Sequence, residues 1–316
     1  MKEPERASPI SRREFVTTTL AFSAGVLCQP ESAECAEPII DIHQHLGYSG
    51  RPDDVLLAHQ RAMGATMTIL LPAGRNVNTP STHDGVSNGL QAQCLGNEPC
   101  RQFAKAHSNA FRFGANEVPD VEGATREIER YLKLGGVIIA EQKFGVECDS
   151  PEMQRIFELG QAYRVPVLMH WQFQMYNFGF ERFHKMLEKF HRVNFLGHAQ
   201  TWWGHIDKNH LDQTVMYPKG PVTRGGLTDR YLSDYPNMFG DLSAGSGLNA
   251  LTRDEEFATD FIARHQDKLI YGSDCNDLDG TKCQGAQTIA AIRRLAPGKA
   301  VERKLLYRNA KKLFRL

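Results

Sequence analysis

Ile39-Ile40-Asp41-Ile42-His43-Gln44-His45 reads as a β-strand that closes on a histidine pair. Alternate side chains of a strand share a face. Asp41, His43 and His45 are therefore expected on one side, with Ile40 and Ile42 on the other, toward a helix layer. Two imidazoles at i and i+2 can reach one cation without bending the backbone. His-x-His alone is equally a structural pair at a strand end, and its weight comes from what recurs downstream. Val167-Leu168-Met169-His170 and Phe195-Leu196-Gly197-His198 also end in histidine, and Leu269-Ile270-Tyr271-Gly272-Ser273-Asp274 ends in aspartate. Parallel strands of a barrel finish at one rim, where barrel enzymes place their chemistry, so these distant residues are expected to converge.

Outward from that strand, apolar runs alternate with helical patterns, the rhythm of repeated βα units. Strands are expected at Ile39–His45, Thr66–Leu71, Phe111–Asn116, Val137–Phe144, Val165–His170, Asn194–His198, Met238–Leu242 and Leu269–Asp274. Eight strands with intervening helices predict an α/β fold, the (β/α)8 TIM barrel. Ser150-Pro151 reads as a cap followed by proline in the first helical turn, with Met153, Ile156, Phe157, Gly160 and Tyr163 on one face. The segment from Val301 to Leu316 carries Leu306, Ala310, Leu313 and Phe314 as a stripe expected to pack on the outside of the barrel. Long connections follow the second strand (75–102) and the sixth (199–223), positions suited to substrate loops.

From about Pro38 to Leu316 the chain resembles the amidohydrolase-related metal-dependent hydrolases, the branch that includes aminocarboxymuconate-semialdehyde decarboxylase. The resemblance rests on Asp41-Ile42-His43-Gln44-His45, Val167-Leu168-Met169-His170, Leu196-Gly197-His198, Tyr271-Gly272-Ser273-Asp274 and the closing Leu306-Tyr307-Arg308-Asn309-Ala310-Lys311-Lys312-Leu313-Phe314. It implies a barrel of the metallo-dependent hydrolase type, with His43, His45, His170 and Asp274 as metal ligands. It implies that His198 contacts substrate or holds a second ion. One or two divalent ions, zinc first, suit imidazole and carboxylate donors. Bound water would then ionise near pH 7 instead of about 15.7, with Asp274 moving the proton and His198 stabilising an oxyanion. The leading expectation is hydrolysis of an amide, lactone or ester of a small molecule. Nonoxidative decarboxylation on the same scaffold is the alternative, and phosphodiester cleavage, as in related deoxyribonucleases, comes third.

In Val137-Ile138-Ile139-Ala140-Glu141-Gln142-Lys143-Phe144, period two places Val137, Ile139, Glu141 and Lys143 on one face. Glu141 would then bridge two metals, or Lys143 would be carboxylated or bind an anionic substrate group, or the two would form an ion pair at the rim. Arg75 is a candidate for a substrate carboxylate, Trp202 for a pocket wall, and Asp241 for substrate contact or for orienting a histidine. His83, His205 and His210 read as loop histidines at surface or supporting positions. Ser243 and Ser246 lack a nucleophile-elbow pattern, which argues against a serine hydrolase.

Zero formal charge and a pI near 7.2 give no electrostatic footprint for nucleic acid. Residues 1–36 read as a leader and 37–316 as one domain. Arg12-Arg13 before the uncharged run Phe15–Leu27 resembles a twin-arginine signal. It implies export to the periplasm or beyond, with no stable membrane insertion after cleavage. Of seven cysteines, Cys94 with Cys100 and Cys275 with Cys283 are the local pairings expected in an oxidising compartment. The expected partner is a small-molecule substrate, and relatives of this type are often homo-oligomers.

Overall fold

The computed structural model describes residues 37–82, 89–276 and 283–316, so the leader and His83 lie outside the described residues. All eight strands form, seven shorter than the expected run and β2 of equal length one residue earlier: β1 Ile39–Gln44, β2 Ala65–Leu70, β3 Phe111–Phe113, β4 Ile139–Gln142, β5 Val167–His170, β6 Phe195–His198, β7 Met238–Asp241 and β8 Leu269–Ile270. They are parallel, in two runs of order β1-β2-β3 and β4-β5-β6-β7-β8. The runs meet at both seams. Ala115 bridges Ile139 in parallel, and its N–H donates to the Ile138 carbonyl at 2.8 Å. Across the other seam, Ile42 N–H donates to the Tyr271 carbonyl (3.3 Å) and Asp274 N–H to the His43 carbonyl (2.8 Å). The sheet is thus a closed (β/α)8 barrel, with a helix after each strand: Asp53–Ala62, Asn97–Ala106, Ala124–Lys133, Pro151–Tyr163, His184–Lys189, Leu227–Asp234, Glu255–His265 and Gln284–Leu295. The helix Pro151–Tyr163 begins as expected, the Ser150 hydroxyl accepting from Met153 N–H. Among the described residues no helix is long and apolar enough to cross a membrane.

Two apolar clusters define the layers. Ile40, Ile42, Ile69, Leu71, Ile138, Ala140, Leu168, Leu196 and Ile270 fill the barrel interior. Ile39, Leu70, Ile139, Val167, Met169, Phe195 and Leu269 face outward into the helices. This corrects the strict alternation expected for two strands. Ile40 and Ile42 point inward, and a register shift between Asp41 and Gln44 turns His43 and His45 inward above them. Ile139 faces the helices although Glu141 enters the site, because the β4 register also shifts between Ile139 and Gln142.

The segment after Val301 divides instead of lying wholly outside. Val301, Leu305 and Leu306 join the outer layer, whereas Ala310, Leu313 and Phe314 close the interior cluster from below. Cys275 and Cys283 are disulfide-bonded. Cys94 and Cys100 are free, against the expected pairing, as is Cys148. Cys100 instead is buried in the outer core on the helix Asn97–Ala106.

One buried ion pair outside the barrel mouth lends itself to a stability test. Asp229, 6% exposed, accepts from His265 Nε2 at 2.6 Å and from the Arg264 guanidinium. Burial works to raise its pKa, but those bonds outweigh it and bring it from 3.8 to about 2. The stabilisation is present above pH ~4 and is lost as pH falls through about 2. Asp229→Asn is expected to cost about 2 kcal/mol at pH 7. Urea midpoints of the two proteins should draw together below pH ~4 and meet only near pH ~2, and a pH-independent difference would contradict the assignment.

Candidate metal centre

β5 and β6 run in register, Leu168 beside Leu196 and His170 beside His198. Since the leucines fill the interior, period two puts both histidines inside, one layer nearer the C-terminal rim. His43, His45, His170, His198 and Glu141 are all buried there, while Asp274 is partly exposed at the top. Gly272 makes this convergence possible. A Cβ on it would lie 2.7 Å from Asp241 Oδ1 and 2.8 Å from His43 Cβ.

The hydrogen bonds fix the imidazole tautomers. His45 Nδ1 lies 2.7 Å from the Leu71 carbonyl, which can only accept, so the proton is on Nδ1. His43 Nδ1 donates to Asp241 Oδ2 at 2.7 Å. Ser243 Oγ donates to the same carboxylate oxygen (2.8 Å) and lies 3.0 Å from His198 Nδ1, which donates to it. All three rings therefore present an Nε2 lone pair to the interior. His43 Nε2 and His45 Nε2 are 3.2 Å apart, and Glu141 Oε2 is 3.6 and 3.4 Å from them. Asp274 Oδ1 stands 3.8 and 3.6 Å from the same nitrogens and is buried without a hydrogen-bond partner. His198 Nε2 faces Glu141 Oε1 at 3.6 Å and Asp274 Oδ2 at 3.7 Å. His170 is turned the other way, with Nε2 3.2 Å from Gln172 Oε1 and Nδ1 on Glu141 Oε1.

Acceptors that converge without donors repel one another unless a cation lies between them, so this set fits a divalent metal. Its field has the same sign. Without a cation a proton takes its place: burial opposes a charge on His43, yet Asp274 and Asp241 hold its pKa well above the ordinary value, and a metal at Nε2 would displace that proton. Burial likewise works against the Glu141 carboxylate, but His170 and the surrounding imidazoles keep its pKa well below the usual range. Burial, reinforced by neighbouring positive charge, lowers His170 and His198, favouring neutral rings. The ligand atoms group as His43–His45–Glu141, His43–His198–Asp274 and Glu141–His170–His198. His170 thus falls with Glu141 and His198, and Glu141 faces both sides of the cluster.

The remaining expected residues divide. Asp241 orients His43 from behind. Lys143 is half-buried at the rim, its ammonium 5.7 Å from the Tyr176 ring centre and unpaired with any described carboxylate, so of the alternatives for this face the Glu141–Lys143 ion pair does not form. Arg75 is not available as expected: its Nε and backbone N–H are both held by Glu117, each at 2.8 Å. Trp202 is no pocket wall. It is fully buried outside β6, where a Cβ on Gly197 would meet its ring at 2.3 Å.

Sequence reading considered Ser243 only as a nucleophile and set it aside; its role between Asp241 and His198 went unread, although it sits two residues beyond Asp241, a spacing that could have flagged it. That reading also missed Tyr48, whose ring packs on His45 and whose hydroxyl pKa is pushed up by the Asp274 charge. Beside His170 opens a cavity of about 250 Å³ lined by Gln172, Tyr176, Thr201 and His205.

No family model and no curated protein matches the chain. Solved structures match it through the fold. A dihydroxybenzoic acid decarboxylase from Polaromonas sp. JS666, with bound manganese and the inhibitor 2-nitroresorcinol, has a TM-score of 0.57 at 16% identity, over 89% of this chain and 97% of its own. A probable 2-pyrone-4,6-dicarboxylic acid hydrolase from Acinetobacter baumannii, with citric acid bound, has a TM-score of 0.56 at 13% identity, over 88% and 99%. An amidohydrolase II has a TM-score of 0.58 at 17% identity, over 88% and 100%. These likenesses establish the class, a (β/α)8 barrel. Decarboxylases recur among the solved structures that share this fold.

Proposed function

We propose that the chain is a divalent-metal enzyme of the amidohydrolase superfamily that removes a carboxyl group, as CO2, from a small aromatic or unsaturated acid. The observation that carries this reading is the buried convergence of Nε2 lone pairs and carboxylates with the ammonium of Lys143 at its edge. The barrel fold shared with aromatic-acid decarboxylases supports it. His43, His45, Asp274 and Glu141 would hold the cation, with His170 behind Glu141. Bound there, the cation draws electron density from the substrate's oxygens. Zinc and manganese both suit these donors.

The chain's own residues then divide the work. Lys143 pairs with a substrate anion over the Tyr176 ring. His198, braced by Ser243, directs Nε2 at the substrate. Asp274 delivers a proton to the carbon as its bond to the carboxyl carbon breaks, so that one acid yields one CO2 and one C–H product. The buried floor of isoleucine and leucine excludes water from that step.

Hydrolysis is the second reading, and Glu141 favours it. Its two oxygens face different histidine pairs, so Glu141 would help to hold two cations, which would supply an activated water. Manganese-loaded protein given a panel of hydroxybenzoic acids is expected to release CO2 with equimolar phenol. Release of no CO2, with 18O from labelled water entering the product of an ester or lactone, would replace decarboxylation with hydrolysis. Twin-arginine export belongs to the same proposal. It is tested by following a tagged full-length chain into the periplasm with Arg12 and Arg13 intact or replaced by lysine.

A further inference from the structure

The rim that carries Asp274 is secured unlike the others. Regular β8 stops at Ile270, and Asp274 itself adopts a left-handed backbone, φ 47°. A non-glycine residue there is strained and persists only where its surroundings dictate it. Some of those surroundings are hydrogen bonds. Ser273 N–H donates to Asp41 Oδ1 (2.9 Å), and Asp274 N–H to the His43 carbonyl (2.8 Å). The Cys275 carbonyl accepts from Arg51 Nη1 at 2.7 Å. The covalent element is the bond from Cys275 to Cys283. Both cysteines are buried, and Cys283 caps the helix Gln284–Leu295, its Sγ accepting from Gly285 N–H at 3.2 Å. That helix is anchored in the outer core by Ile289, Ala291, Ile292 and Leu295. The residue directly after Asp274 is thus tied to a packed helix.

We propose that Cys275 and Cys283 are positioning residues that form a redox lock on Asp274. It rests on the reading of Asp274 as a cation ligand. With the disulfide formed, the carboxylate is held toward His43, His45 and His198. A dithiol such as dithiothreitol breaks the S–S bond, supplying two electrons and two protons and itself closing to a cyclic disulfide. Two thiols result, Cys275 separates from the helix, and the direction of Asp274 is no longer fixed from its C-terminal side. The hydrogen bonds of Arg51, Ser273 and Asp274 remain, so the barrel stays folded while the site loosens. Groups that orient metal ligands typically contribute 10- to 100-fold in affinity.

The test is Mn2+ titration of the full chain, followed by electron paramagnetic resonance. It compares oxidised protein with protein reduced by dithiothreitol and freed of reductant without air, with thiols counted and circular dichroism recorded. Reduction is expected to expose two additional thiols, leave the dichroism unchanged and weaken Mn2+ binding by about 10- to 100-fold. Reoxidation should restore affinity. A double variant, Cys275→Ser with Cys283→Ser, should bind weakly in both states. Unchanged affinity after the two thiols appear would overturn the lock, as would a disulfide that resists reduction in the folded protein. Loss of dichroism on reduction would make it a structural staple instead. Oxidised Asp274→Asn separates the two ideas: affinity equal to that of the native protein would show that Asp274 is not a ligand, whatever the disulfide does.

Discussion

Asp274→Asn is expected to lower turnover on the order of 10³-fold even with the site saturated by added Mn2+, while some metal binding remains. The substitution keeps the shape of the side chain but removes its charge and its capacity to carry a proton. Asp274 Oδ1 is buried, unpartnered and within 3.8 Å of two imidazole nitrogens, and Oδ2 lies 3.7 Å from His198 Nε2. No other described carboxylate in this cluster is partly exposed, since Glu141 and Asp241 are enclosed. His43, His45 and Glu141 persist in the variant, so elemental analysis should still find metal. The rate of CO2 release measures the loss. If turnover matches the native enzyme, proton delivery belongs to another group.

Glu141→Gln is expected to act earlier, on metal retention. Glu141 Oε2 faces His43 and His45 at 3.6 and 3.4 Å, and Oε1 faces His198 at 3.6 Å and His170. Removing one member of a buried charged set typically costs about 3 kcal/mol or more, on the order of 10²-fold in affinity. After desalting, the variant should be metal-poor and inactive, as should native protein treated with a chelator. Native-like metal content in the variant would take Glu141 out of the coordination sphere. The count in native protein separates the two reactions. One equivalent leaves His198 for substrate, whereas two make Glu141 a bridge and favour hydrolysis.

Much of this was legible in the chain. The eight apolar runs all became strands, because buried parallel strands need continuous apolar sequence. Ligand-type residues at strand ends converged because strand polarity leaves them no other rim. Alternation failed where strands were irregular. Ile40, Ile42 and Ile139 took the faces opposite to those read from period two, since register shifts in β1 and β4 carry no residue signature. Arg75 and Trp202 were misplaced for a different reason. Their partners, Glu117 and Gly197, are remote or unremarkable in sequence, and only packing brings them together. Tyr48, and the supporting role of Ser243, went unread because a lone phenol or hydroxyl near a strand end is too common to assign a part.

The helix Asn309–Phe314 gives the barrel a floor, and with it a dependence at a distance. Ala310, Leu313 and Phe314 stop the lower mouth of a tube whose upper mouth holds the ionisable groups. Shaving a large ring such as Phe314 from that stopper would admit solvent from beneath, raising the permittivity felt by histidines it never touches. Evolution can therefore tune the acidity of the upper chamber from the opposite end of the tube.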